Sequence, residues 1–241
     1  MTESAPFLVF GFGILLVGAV AYFAYVRAQK RRETLAAYAL SKGWAFEATD
    51  VYGQAHRWKG PPFARGDDRR AYNVLRGFRG SQALVAFDYK YDETSGSGSS
   101  RSEHTYHLHV CSLRLPAALP PLAAVPETAL SRIGQLVGVE DIELESEAFN
   151  RAFRVQAPSA KFACDVLTPR QMELLLRLRG LSWRIEGADL LCYAEGAATP
   201  GDIESRIAAL AAFTTGIPAF VWKDNGYDPS PLEGAQEGYA S

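Results

Sequence analysis

Apolar and polar positions divide the chain into three regimes. The first is "FLVFGFGILLVGAVAYFAYV", Phe7 to Val26, twenty residues with neither charge nor proline. A soluble surface helix keeps one polar side, so this run predicts a helix that is apolar all round. At 1.5 Å per residue it matches the roughly 30 Å hydrocarbon layer of a bilayer. The preceding "MTESAP" lacks the basic n-region of a cleaved signal peptide, whereas Arg27, Lys30, Arg31 and Arg32 follow the run. The positive-inside rule then puts the N-terminus outside and everything after Val26 in the cytoplasm, a single-pass protein of the plasma membrane. Tyr22, Phe23 and Tyr25 fit an interfacial belt at the inner end.

The second regime is mainly β. "RRETLAAYALSKGW" leads into it as a helix with Leu35, Tyr38 and Leu40 on its apolar side and Gly43 as C-terminal cap. We read it as the first helix of the domain rather than a free stalk, because Trp44-Ala45-Phe46 follows at once. "AYNVLRGF" and "ALVAFDYKY" are strand-like runs around the turn "RGSQ". In the second run Val85, Phe87, Tyr89 and Tyr91 share one face, with Asp88, Lys90 and Asp92 on the other. "TSGSGSSRS", residues 94–102, has the composition of a flexible loop. "EHTYHLHVCSLRL" then alternates Tyr106, Leu108 and Val110 with Thr105, His107 and His109. The pattern predicts an antiparallel meander with one buried face.

The third regime mixes helix and strand. "VPETALSRIGQLVG" predicts a helix from about Pro126, and "EDIELESEAFNRAFRV" offers Ile142, Leu144, Phe149, Phe153 and Val155 to a core. "SAKFACDVL" and "TPRQMELLLRLRG" predict helices. The second starts on a Thr168 cap with Pro169 in first position and Gln171 completing a capping box, and it ends at Gly180. "LSWRIEG" and "DLLCYAE" predict a hairpin around Gly187-Ala188. "TPGDIESRIAALAAFTTG" is an amphipathic helix presenting Ile203, Ile207 and Leu210, and "IPAFVW" closes the fold. From Lys223 the periodicity stops, as in a disordered tail. The expected organisation is α+β: residues 1–6 outside, a transmembrane helix 7–26, a juxtamembrane helix 27–43 and a cytoplasmic domain 44–222. The domain is β-rich over 44–115 and mixed over 116–222, has several packed helices and precedes a tail 223–241.

Composition removes several function classes. With 241 residues, 48% hydrophobic and a net charge of −2, the chain is neither disordered nor a nucleic-acid-binding arm. Cys111, Cys164 and Cys192 are odd in number and far apart, which excludes a zinc finger and suits a reducing compartment. Charge is unevenly spread: residues 27–101 hold 14 Lys and Arg against 8 Asp and Glu, and the remainder to residue 241 is acidic. Arg65, Arg69, Arg70, Arg76 and Arg79 extend the juxtamembrane charge of Arg27, Lys30, Arg31 and Arg32 into the domain. This predicts a basic surface facing anionic lipid headgroups.

Three of the four histidines lie in "EHTYHLHV". His107 and His109 share a strand face, and Asp88 or Asp92 on the neighbouring strand adds a carboxylate, a donor set suited to zinc or iron. Lys90 on the same face opposes a cation, and His104 has the other parity. A solvated strand face accounts for the same residues, and a single H-x-H is a weak pattern. No phosphate-binding loop, nucleophile elbow, zinc-protease or dinucleotide motif is present. The acidic run Glu140, Asp141, Glu143, Glu145 and Glu147 lacks the glycine of a calcium loop. Cys164 reads as an ordinary buried cysteine.

"LAAYALSKGW", "PPF", "NVLRG", "AFDYKY", "ESEAFNRAFRV", "LTPRQMELLL" and "IPAFVW", taken in order, resemble an uncharacterised bacterial family of single-span membrane proteins, a domain of unknown function. The resemblance runs from about Phe7 to Trp222. It implies an anchor and a cytoplasmic domain, and brings no activity, cofactor or catalytic residue. The sequence therefore predicts a non-enzymatic binding or scaffolding module without a cofactor, in contact with the bilayer and an unidentified protein partner. Two other readings stand beside it: a metal-dependent enzyme using His107 and His109, and an anionic-lipid sensor with a pleckstrin-homology-like fold.

Overall fold

A computed structural model describes residues 5–96, 101–129 and 140–229, with side chains except those of residues 5–14 and 128. The chain opens with α1 (Ala5–Ser41), 37 residues without interruption. The helix expected over residues 27–43 continues the preceding one without a break. Arg27 to Glu33 contain neither glycine nor proline and are good helix formers, so nothing there stops the helix. It ends where Gly43 turns left-handed at φ 69°, letting Trp44 N–H reach the Ala39 carbonyl at 2.8 Å.

Seven strands follow: β1 (Ala45–Thr49), β2 (Asp67–Arg79), β3 (Gln82–Ser95), β4 (Ser102–Pro126), β5 (Glu140–Ile142), β6 (Phe153–Ala157) and β7 (Ser182–Glu195). They form one antiparallel sheet in the order β1-β2-β3-β4-β6-β5, with β7 on the other edge of β4. β4 is the spine. Its first half pairs with β3, its last residues pair with β6 on the edge β3 has left, and β7 runs along the opposite edge.

The β-rich part extends past residue 115 because β4 continues to Pro126. Prolines that read as strand breakers are carried by irregularities. Pairing with β7 slips between Arg114 and Leu119 and again between Leu119 and Leu122, and Pro116, Pro120 and Pro121 sit in those gaps. A residue without an N–H costs nothing where the ladder is already broken. The helix expected from Pro126 is a short 3-10 turn over Glu127–Ala129, and the rest of it lies outside the described residues. The hairpin expected at Gly187-Ala188 is absent. β7 runs straight through, and Gly187 at φ 59° pairs with Leu119 between the two irregularities of β4.

Among the described residues five further helices pack on the sheet: α2 (Glu147–Ala152), α3 (Ala160–Val166), α4 (Pro169–Arg177), α5 (Pro200–Gly216) and α6 (Ala219–Asp224). Thr168 caps α4 as expected, accepting from Gln171 N–H, but Gln171 does not complete a capping box. Its buried amide instead donates to the Phe213 carbonyl at 2.6 Å, tying α4 to α5. The reciprocal box is at Thr199 and Asp202, which start α5. Leu40 is exposed and Ala39 takes the core position beside Leu35. Cys164 is exposed on α3, whereas Cys111 and Cys192 are buried and face each other across β4 and β7 as free thiols.

The sheet is buried on both faces, not one. The helices and α1 cover a core containing Leu35, Leu75, Leu113, Trp183, Ile207 and Phe213. The other face carries Phe87, Tyr89, Tyr91 and Tyr193, closed by Trp58 and Phe63 from the β1–β2 connection. That connection is pinned to β7. Arg57 holds Asp189 through two hydrogen bonds of 2.8 and 3.0 Å, and Trp58 Nε1 donates to the same carboxylate at 3.1 Å. Among the described residues the segment before α5 is the single strand β7, not the hairpin on which the pleckstrin-homology-like reading drew.

Candidate functional site: the junction of helix and sheet

The face of the sheet beneath α1 changes from apolar to polar along its strands. On β3, Leu84 and Ala86 give way to Asp88 and Lys90; on β4, Leu113 and Cys111 give way to His109 and His107. Asp88 and His109 are register partners, as are Lys90 and His107. The alternation thus puts His107, His109 and Asp88 on one face, as expected.

α1 crosses this polar patch one turn before its core residue Leu35. Arg31 Nε and Nη2 donate to the two oxygens of Asp88 at 3.0 and 2.8 Å, and Nη1 donates to the Ala198 carbonyl at 2.9 Å. Asn73 Nδ2 donates to Asp88 as well, at 2.8 Å. Asn73 lies at φ 50°, in the irregular stretch of β2 between Tyr72 and Leu75. Asparagine tolerates the left-handed region better than most residues, and here that conformation aims its amide at the carboxylate. Asp88, Asn73 and His109 are all buried.

His109 is not on a solvated face. Its Nδ1 lies 3.2 Å from Arg206 Nη1, on α5, and 3.8 Å from Cys111 Sγ. An arginine only donates, so Nδ1 accepts and a neutral His109 carries its proton on Nε2. That atom has no partner among the described residues, and neither does Asn73 Oδ1. Burial holds the Cys111 thiol far above its ordinary pKa, so it is no nucleophile here. His107 is exposed, its Nδ1 3.5 Å from the Tyr72 hydroxyl. Among the described residues no three His, Cys, Asp or Glu side chains come together as a metal would need. Two arginines occupy the ground between the expected ligands.

A second clamp lies further along the helix. Tyr38 donates to Glu204 of α5 at 2.8 Å and Lys42 pairs with the same carboxylate at 2.6 Å. The hydrogen bonds from Lys42 and Tyr38 lower the Glu204 pKa, while burial, then Glu204 itself, raises that of Tyr38. From Arg31 to Lys42, about 16 Å of helix, α1 is fixed at both ends and packed between them. Before Arg31, every described side chain from residue 15 to residue 30 is exposed. Leu15, Leu16, Val17, Val20, Tyr22, Phe23 and Tyr25 are 56–73% exposed.

The nine basic residues expected to share one surface do not. Arg27, Lys30 and Arg32 are exposed on α1, and Arg31 is turned into the junction. Arg65 pairs with Glu93, Arg70 with Asp68, and Arg69 donates to the Phe63 carbonyl, all near the start of β2. Arg76 pairs with Glu47 and covers the Tyr52 ring, and Arg79 is exposed at the β2–β3 turn, both at the other end of the strand. Sequence reasoning missed Asn73 and Arg206. An asparagine inside a strand-like run was the available signal for the bulge, since strands disfavour it. Arg206 lies 97 residues from His109, beyond any local pattern.

Among the described residues no helix is long and apolar enough to cross a membrane. The first part of the expected span, residues 7–14, lies outside the described side chains.

No protein-family model and no curated protein matches the chain, so the resemblance to a family of unknown function has no matching model behind it. The fold does match a solved structure. It is similar to the crystal structure of the mycobacterial trehalose monomycolate transport factor A, TtfA, at a TM-score of 0.59 and 12% identity, over 76% of this chain and 92% of that one. At that identity the two share a fold: an antiparallel sheet with helices packed upon it, an α+β architecture.

Proposed function

We propose that this protein is a membrane-anchored, non-enzymatic accessory factor in envelope lipid transport. Its α+β domain is held rigidly on the anchor at the cytoplasmic face of the plasma membrane and serves as a docking module. The observation that carries this reading is the continuity of α1. One unbroken helix begins as an uncovered apolar arm and ends clamped between sheet and α5. Uncovered Leu, Val, Phe and Tyr along such a stretch are costly in water, at roughly 25 cal/mol per Å² of apolar surface, and favourable in lipid. The exposed Arg27, Lys30 and Arg32 follow the arm where anionic headgroups would meet them. The link to lipid transport is supported by the shared fold with a protein named as a trehalose monomycolate transport factor. The non-enzymatic reading is supported by the junction, where Asp88 is held by Arg31 and Asn73 and the Nδ1 of His109 faces Arg206.

In cells depleted of the protein, a newly made envelope lipid should accumulate on the inner side of the membrane, as followed by pulse labelling. The full chain should restore export, and a chain starting at residue 27 should not. Unchanged lipid export on depletion would overturn the transport role.

A further inference from the structure

A wide groove lies at the end of the domain remote from the apolar arm. It has a volume of about 1200 Å³ and opens between the β2–β3 turn, the middle of β4 and the C-terminal end of α5 with α6. Gln82 in its wall is six residues along β3 from Asp88, about 20 Å from the level at which Arg31 enters. Its floor is the edge of the helix-side core, where Leu115, Ile217 and Trp222 line the groove while only 3, 4 and 5% exposed, and Tyr227 stands edge-on to Trp222. Arg79, Arg114 and Arg170 surround that floor, and among the described residues no acidic one lines it. Arg114 reaches Asp189 at only 3.4 Å, and that carboxylate is already held at closer range by Arg57. Arg79 and Arg170 are exposed and form no ion pair with a described residue.

We propose that this groove docks an acidic segment of a partner protein, with apolar side chains on the Leu115–Trp222 floor and carboxylates on the three arginines. Three considerations lead there. The volume exceeds the 300–1000 Å³ usual for small-molecule sites, so a chain segment fits better than a metabolite. Among the described residues the lining contains no histidine, cysteine, aspartate, glutamate or lysine, which suits holding a ligand over reacting with it. Arg79 and Arg170, which form no ion pair with a described residue, and Arg114, held by Asp189 only at 3.4 Å, can pair with carboxylates through two parallel hydrogen bonds and select an anionic occupant. The choice of protein over lipid headgroups rests on the anchored reading, because an arm in the bilayer turns this end of the domain away from it.

The test uses the full chain in detergent micelles and fluorescence anisotropy of three probes. They are a twelve-residue peptide alternating glutamate with leucine and phenylalanine, its lysine-for-glutamate counterpart, and micelles doped with phosphatidylglycerol as competitor. The glutamate peptide should bind and the lysine peptide should not. Arg79→Glu with Arg170→Glu should weaken binding at least tenfold, with circular dichroism unchanged because neither side chain holds the fold together. Absence of binding by the glutamate peptide at millimolar concentration, or equal binding by the double variant, would overturn the proposal. Displacement of the peptide by phosphatidylglycerol would reassign the groove to lipid and would also count against the anchored orientation. A peptide that binds only after removal of residues 230–241, which carry Glu233 and Glu237, would assign the groove to the chain's own tail. Binding as expected while lipid export is unaffected would leave the docking groove standing and sink the transport role alone.

Discussion

Asp88 carries more of the junction than any other side chain. It accepts from Arg31 twice and from Asn73 once while buried, so removing it strands an arginine and an amide together. Breaking a buried ion pair typically costs 3–5 kcal/mol. Asp88→Ala should cost about 3 kcal/mol, at the low end because Arg31 keeps a quarter of its side chain in solvent. Urea denaturation checks this, and a loss below about 1 kcal/mol would mean the pair is dispensable. Buried tyrosines give the alkaline limit of stability. Burial pushes Tyr89 and Tyr193 up to about 12, and Tyr38 and Tyr91 are raised too. A tyrosine with a raised folded pKa stabilises fully below its unfolded value near 10 and loses that contribution as pH climbs towards 12. Unfolding should therefore set in between pH 10 and 12, with tyrosinate absorbance and circular dichroism changing together. Ionisation of all eleven tyrosines without loss of structure would contradict the packing of the second core.

Among the elements, α5 depends on its start. Thr199 and Asp202 exchange hydrogen bonds there, and those from Thr199 lower the Asp202 pKa. Thr199→Ala should cost about 1 kcal/mol by thermal denaturation. With lowered carboxylates at Asp202 and Glu204, stability present at neutral pH is lost as pH falls through and below the ordinary carboxylate range. In Thr199→Ala that acid loss should be shallower. Elements governed by local chemistry were legible in the sequence: the turn at Gly80, the Thr168-Pro169 start of α4, the apolar face of α5, and the face shared by Val85, Phe87, Tyr89 and Tyr91. Other elements were not, for physical reasons. A glycine at positive φ looks the same in a turn as inside an irregular strand pairing, so Gly187 suggested a hairpin. Prolines between ladder irregularities suggested the end of a strand that in fact continues to Pro126. The second core was hidden because Trp58 and Phe63, which close it, lie in a connection with no periodicity of its own. Strand alternation revealed which face His107, His109 and Asp88 share. It could not reveal Arg31 and Arg206, which reach that face from distant helices and change it from a ligand set into a clamp.

At the scale of the whole molecule, α1 is both arm and core element, and truncation should separate the two roles. A chain starting at residue 27 keeps Arg31, Leu35, Tyr38 and Ala39 and should fold with near-normal cooperativity. One starting at residue 44 loses the Arg31 pair, the Tyr38–Glu204 bond and two buried apolar side chains. It should unfold at markedly lower urea or fail to fold. Equal stability of the two chains would show that α1 is an appendage. The central claim, that the arm lies in the membrane with the domain on the cytoplasmic side, is tested most directly by thiol labelling of intact cells. The protein supplies its own inner reporter, since Cys164 is exposed while Cys111 and Cys192 are buried. In cells producing Ser4→Cys, an impermeant maleimide should label position 4 before permeabilisation and Cys164 only after it. Labelling of Cys164 in intact cells, or recovery of the chain in the soluble fraction, would contradict the account.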